Sequence, residues 1–308
     1  MSSEPNVVPL SAFMHPRYWG TWVLIGFLRL LSLLPFRLLM IVGQGFGWVS
    51  YHLAKKRRRI AEVNIDLCFP ELTAVERRSL VKKTVQENVL GFFESIYAWW
   101  GDAKQLRSQV DVSGLEHLEA LKKQNKGAML VGAHYSNLDL GGLLVSLFAD
   151  VDVTYRRHNN PLFNQIIIRG RTPNFGRVLE RSQLRDMIRR LKDGKVLWYA
   201  ADQDYGRKHS VFAPFFGIEA ATVNGTAKLA KMCHVPVLIL GHQRQPNGRY
   251  LIDITPALEG FPSGNDRDDA ARINTELEKQ IRRYPAQYMW VHRRFKTRPE
   301  KVEPSFYR

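Results

Sequence analysis

From Gly127 onward the chain alternates short apolar runs with stretches of helical periodicity. AMLVGA is followed by LDLGGLLVSLFA, VDVTY by PLFNQIIIRG, SQLRDMIRRLK by KVLWYAA, TAKLAKMC by VPVLILG, and RYLIDITP by DAARINTELEKQIRRY. Parallel strands need a crossover connection, usually a helix, so this alternation predicts an α/β domain whose mixed, largely parallel central sheet is flanked by helices. Residues 60 to about 125 read as mostly helical. There TAVE at Thr73 has the form of a capping box, and apolar spacing runs through Leu80, Val81, Val85, Val89, Phe92 and Phe93. No repeat, low-complexity tract or clear linker interrupts the chain, and the residues after Pro299 read as a loose tail.

The N-terminal segment is different. Tyr18 to Trp48 holds no acid and only Arg29 and Arg37 as charges, and LAKKRRR, Leu53 to Arg59, follows with five consecutive basic residues. The segment has neither the basic start, the short apolar core nor the cleavage site of a signal peptide. It reads as a membrane anchor over 1–52, either a single span or an interfacial, partly re-entrant one. The mid-run arginines and Pro35 weigh against a simple span, because an arginine at the bilayer centre costs roughly 3 kcal/mol or more. A buried helical hairpin is the alternative. Trp19, Trp22, Trp48, Trp99 and Trp100 flank the apolar segments, as aromatics do at a membrane interface.

The formal net charge of +16 calls for an anionic partner: nucleic acid, a membrane surface with phosphorylated lipids, or an acidic carrier protein. No nucleic-acid recognition motif is present, and a nucleic-acid reading leaves the apolar segment unexplained. Cys68 and Cys233 have no C-x-x-C spacing, and a chain of 308 residues needs no disulfide, so both read as reduced and structural in a cytoplasm-facing protein.

VGAHYSNLDL, Val131 to Leu140, carries the candidate chemistry. His134 and Asp139 stand five apart, which on one helix would set them ~140° apart around the axis. If the strand ends at His134 and Ser136 or Asn137 caps a helix entered at Leu138, Asp139 falls in the first turn and can fold back onto the imidazole. A carboxylate on one ring nitrogen leaves the other free as a general base. No G-x-S-x-G elbow and no nearby cysteine offers a nucleophile, so the base would activate a hydroxyl of the substrate.

From end to end the chain resembles the late acyltransferases of lipid A biosynthesis, the His-x4-Asp/Glu group that includes the Kdo2-lipid IVA lauroyl acyltransferases. HPRYW, NIDLCFPE, VGAHYSNLDL, TYRRHNNPL, WYAADQDYG, SVFAPFFG and QYMWVHRRFKTRP carry the resemblance in order. It implies an acyltransferase domain over 53–308 of glycerol-phosphate-acyltransferase-like fold. It also implies transfer of a fatty acyl chain, lauroyl by closest likeness, from acyl carrier protein to a 3-hydroxyacyl hydroxyl on a phosphorylated glucosamine disaccharide. The site would lie on the cytoplasmic face of the inner membrane and use no cofactor or metal. Carried over by motif, His134 is the base and Asp139 its orienting partner, and Arg156 is a cation for the oxyanion or a phosphate. Asn160, Arg171, Asp202, Asp204, Tyr205, Arg293 and Arg294 are further expected substrate-binding residues. Asp202 and Asp204 would orient the sugar, or else hold arginines or cap the next element. Phe212, Phe215 and Phe216 fit either the core or a wall of the acyl groove. A related enzyme acting on another phospholipid or glycolipid would share the same base.

Overall fold

The computed structural model describes residues 7–300 and 304–307. Helices α1 (Trp19–Leu31), α2 (Phe36–Leu53), α3 (Lys55–Cys68) and α4 (Ala74–Trp100) come first. Next are β1 (Val110–Ser113), α5 (Leu115–Lys123), β2 (Ala128–Gly132), α6 (Leu138–Ser146), β3 (Val151–Tyr155), α7 (Pro161–Arg171), β4 (Val178–Glu180), α8 (Leu184–Lys192) and β5 (Val196–Ala200). The chain continues through β6 (Ser210–Phe215), β7 (Ile218–Val223), α9 (Gly225–Cys233), β8 (Val237–Arg244), β9 (Tyr250–Ile254) and α10 (Asp266–Arg283). The seven-stranded sheet has the order β1-β9-β8-β2-β5-β3-β4. All its pairings are parallel except β8 with β9, so the expected mixed, largely parallel sheet is present. The hairpin of β6 and β7 forms a separate two-stranded sheet. Pro214 in SVFAPFFG hides that strand from propensity reasoning, and it is tolerated because the hairpin has no third strand requiring its missing N–H.

Strand β2 is buried along its whole length, and apolar clusters cover both faces of the sheet. Helix α4 begins with the expected capping box: Glu76 N–H donates to Thr73 Oγ1, and Thr73 N–H donates to Glu76 at 2.8 Å. Gly91 lets α4 pass so close to the turn after β2 that a Cβ there would stand 2.1 Å from the Ser136 carbonyl oxygen. Both cysteines are free and buried. The tail expected after Pro299 lies partly outside the described residues. Its described part returns to the body, where the Tyr307 hydroxyl accepts from Phe295 N–H at 3.0 Å and donates to Asn64 Oδ1 at 2.5 Å.

No helix among the described residues is long and apolar enough to cross a membrane. The apolar segment is broken before Pro35, which N-caps α2. Helix α1, with 13 residues, spans about 20 Å against the roughly 30 Å of a hydrocarbon core. Helix α2 commits one face to α4: Gly43 and Gly47 lie one turn apart, where a Cβ would meet Leu90 at 2.9 Å and Gln86 at 3.2 Å. The opposite faces stay bare, leaving Trp19, Val23, Phe27, Leu30, Ile41 and Trp48 each at least half exposed. Trp99 departs from the expected interface role: it is buried against Phe163, with its neighbour Trp100 edge-on.

Candidate active site

The central strands end together at one edge of the sheet, where ligands of open α/β sheets bind. His134 emerges there just past β2. Its Nδ1 lies 2.6 Å from Asp202 Oδ1, and its backbone N–H donates to Oδ2 at 2.8 Å. An ionised carboxylate only accepts, so Nδ1 carries a proton and Nε2 is the ring nitrogen available as a base. Asp202 is 1% exposed. Burial pushes its pKa up, but the His134 charge and hydrogen bonds outweigh burial and hold it at about 2. The chain at 285–290 clamps the turn, as Met289 N–H donates to the His134 carbonyl at 3.0 Å and Ser136 N–H to the Gln287 carbonyl at 2.7 Å.

Asp139 does not hold the imidazole as the spacing suggested. It lies in the first turn of α6 as expected, but accepts from Arg171 Nε at 2.8 Å and Nη2 at 2.6 Å. A guanidinium forks onto a carboxylate in a way no imidazole can, and α7 brings one within reach. Asn137 occupies the N-cap position of α6, but its side chain makes no capping bond.

His134, Asp139 and Arg171 line one cavity of about 1130 Å³. Arg156 and Arg181, which follow β3 and β4, Lys208, in the turn before β6, and Lys228, in the first turn of α9, make its rim basic. Below the rim the lining becomes apolar, through Val153, Val151, Val145 and Phe175. Tyr205 also lines it, under the Arg181 guanidinium at 5.0 Å.

The remaining expected residues have structural partners. Asn160 caps α7 through Phe163 N–H at 3.1 Å and donates to Thr21 Oγ1 at 2.8 Å. Asp204 accepts from the backbone N–H groups of Gly206 at 2.8 Å and Thr297 at 2.7 Å, tying two loops together. Arg294 is buried, donating to the Ala221 carbonyl at 2.7 Å and Thr222 Oγ1 at 2.8 Å. Arg293 is exposed and packs over Tyr307, outside the cavity lining. Phe215 and Phe216 belong to the core, whereas Phe212 is only partly buried beneath Arg207.

Sequence reasoning missed His242 and His292, which also line the cavity. Burial, and secondarily the His134 charge, pushes His242 down to about 4, so it is neutral at neutral pH. It lies at the end of β8, the neighbour of β2, and only the strand order reveals that proximity. Among the described residues no cluster of His, Cys, Asp or Glu fits a metal ion.

Residues 10–297 match the model of the bacterial lipid A biosynthesis acyltransferase family. The chain is 40% identical over 289 residues to the lipid A biosynthesis palmitoleoyltransferase of Escherichia coli, covering 93% of this chain and 94% of that one. It is 38% identical over 299 residues to the lauroyltransferase of the same organism, covering 96% and 97%. A 1-acyl-sn-glycerophosphate acyltransferase from Thermotoga maritima matches at TM-score 0.36 and 15% identity, over 76% of this chain and 98% of that one, a likeness too remote to bear on function. The ordered motifs, the full-length family match and the two close relatives agree: this chain belongs to the bacterial lipid A biosynthesis acyltransferase family.

Proposed function

We propose that the protein transfers a fatty acyl chain from acyl carrier protein to the hydroxyl of a 3-hydroxyacyl chain on a phosphorylated lipid A precursor, with His134 as general base. The observation that supports this best is the His134–Asp202 pair, which stands where a basic rim meets an apolar slot. His134 Nε2 takes the hydroxyl proton, and the alkoxide attacks the thioester carbonyl carbon. The intermediate collapses with rupture of the C–S bond, and the imidazolium returns its proton to the departing thiolate. Asp202 keeps the proton on Nδ1 and stabilises the imidazolium. Arg171, aimed by Asp139, and Arg156 supply positive charge for the oxyanion or for substrate phosphate.

The bare faces of α1 and α2 suit an interfacial seat on the inner membrane, with Arg29, Arg37 and the Lys55–Arg59 run facing anionic headgroups. The membrane-anchor unit at 1–52 and the acyltransferase unit at 53–308 remain the proposed functional division. The two relatives are named for palmitoleoyl and lauroyl transfer; lauroyl is the donor we propose for this chain.

The test incubates detergent-solubilised protein with a tetra-acylated, Kdo-bearing lipid A precursor and lauroyl-acyl carrier protein, and follows product mass. Gain of one lauroyl unit, absent with His134→Ala, is the expected result. Full activity in that variant would remove the base from the mechanism.

A further inference from the structure

The apolar part of the cavity is a slot with a measurable depth. Val151 is in register with Val196, and Val196 with Ala128, so Val151 lies level with the start of β2. Gly132, the last residue of β2, is four residues further along, which at about 3.3 Å per residue puts the deep end roughly 13 Å below the strand end, with His134 two residues beyond it. Val145 and Val151 line that end and are 3% and 2% exposed, so it is enclosed.

Phe175 stands at the same level, because Gly176 N–H donates to the Val151 carbonyl at 3.1 Å. It lines this cavity and also a second one of about 440 Å³, bounded by Leu147, Phe148, Pro173 and Asn174. One ring therefore separates the slot from a more open space beyond. Facing it on α6 is Gly142, where a Cβ would stand 3.2 Å from Phe175 Cζ. That is tighter than an ordinary contact, so a methyl there requires the ring to give by a few tenths of an ångström.

We propose that Phe175 is the end wall of the donor acyl slot, and that its contact with Gly142 sets the chain length the enzyme accepts. This rests on the acyl-transfer reading above. The occupant is the donor's single fatty chain, because the slot is continuous with His134 and closes at one point. A multi-chain acceptor with phosphates fits the basic rim and the membrane-facing side instead. Removing the ring joins the two cavities and admits longer chains. Adding a methyl at residue 142 pushes the ring inward and favours shorter ones. Each methylene left unburied costs about fourfold in binding, so the cut-off is steep.

The experiment presents wild type, Phe175→Ala and Gly142→Ala with an equimolar mixture of lauroyl-, myristoyl- and palmitoyl-acyl carrier protein and reads product masses. Wild type should favour one chain. Phe175→Ala should raise the ratio of longer to shorter product at least tenfold, and Gly142→Ala should lower it. Using two variants with opposite expected shifts keeps the test decisive if one of them fails to fold. Active variants that keep the wild-type ratio would overturn the wall while leaving the transfer reading intact. A folded wild type that transfers none of the three chains would overturn the transfer reading and the wall with it.

Discussion

His134 Nδ1 and Asp202 Oδ1 lie 2.6 Å apart although 68 positions separate them in the chain. The sheet creates the contact: Gly132 pairs with Ala200 in the parallel register of β2 and β5, these residues end their strands, and the pair stands two residues past each end. Asp202→Asn should therefore leave the fold in place, yet an amide can donate to Nδ1 and stabilise the wrong tautomer. We expect kcat to fall by about 10²–10⁴-fold with KM little changed. His134→Ala with Asp202→Asn should be no slower than His134→Ala alone, since the carboxylate acts only through the ring. Steady-state kinetics on the three variants checks this, and additive losses would mean that Asp202 acts elsewhere.

Asp139 and Arg171 form a second unit, largely shielded from water at 14% and 18% side-chain exposure. If Asp139 serves to aim the guanidinium, Asp139→Ala and Arg171→Ala should each slow transfer by about 10²-fold or more, with the double variant close to either single one. Asp139→Glu should recover part of the rate, because a carboxylate remains to meet the fork. A double variant showing the product of the two single losses would separate the residues.

The sequence made the alternating core legible because the crossover pattern and the capping box at Thr73 are local signals. It also brought His134, Asp139 and Asp202 forward as candidates. What it could not supply was their pairing. Spacing within one turn favoured Asp139 as the partner of His134, whereas strand order, a long-range property, delivers Asp202 to the ring and α7 delivers Arg171 to Asp139. Asp204 and Arg294 have partners that are equally hidden from the sequence: a buried polar group needs a partner, and theirs are backbone and hydroxyl groups whose position no motif records.

The apolar faces of α1 and α2 predict how the protein attaches to lipid. Val23 and Leu30 are 74% and 66% exposed, so acids there cost the fold little. Val23→Asp with Leu30→Asp should cut sedimentation with anionic vesicles by about 100-fold, since burying each such side chain contributes about 1.5–3 kcal/mol. Raising the salt should weaken wild-type binding further through the Lys55–Arg59 run. Unchanged sedimentation of the double variant would move the membrane contact to another surface.

At the end of β8, Arg244 bridges Glu87 and Glu94, and the Tyr250 hydroxyl also donates to Glu94. One guanidinium neutralises only one of two carboxylates, and Glu94 is 0% exposed. Burial above all, with Glu87 adding and Arg244 opposing, pushes Glu94 up to about 7 from an ordinary 4.5. The folded state thus binds a proton that the unfolded state has already released between those values. The stability held by that proton is complete below pH 4.5 and is lost as the pH rises through about 7. Wild type should lose on the order of 3 kcal/mol across this window through Glu94. Glu94→Gln, which stays neutral, should lose correspondingly less. Denaturant unfolding of both proteins at several pH values measures the difference in slope. Parallel curves would mean that Glu94 is ionised in the folded protein across the window and that Arg244 serves both carboxylates at once.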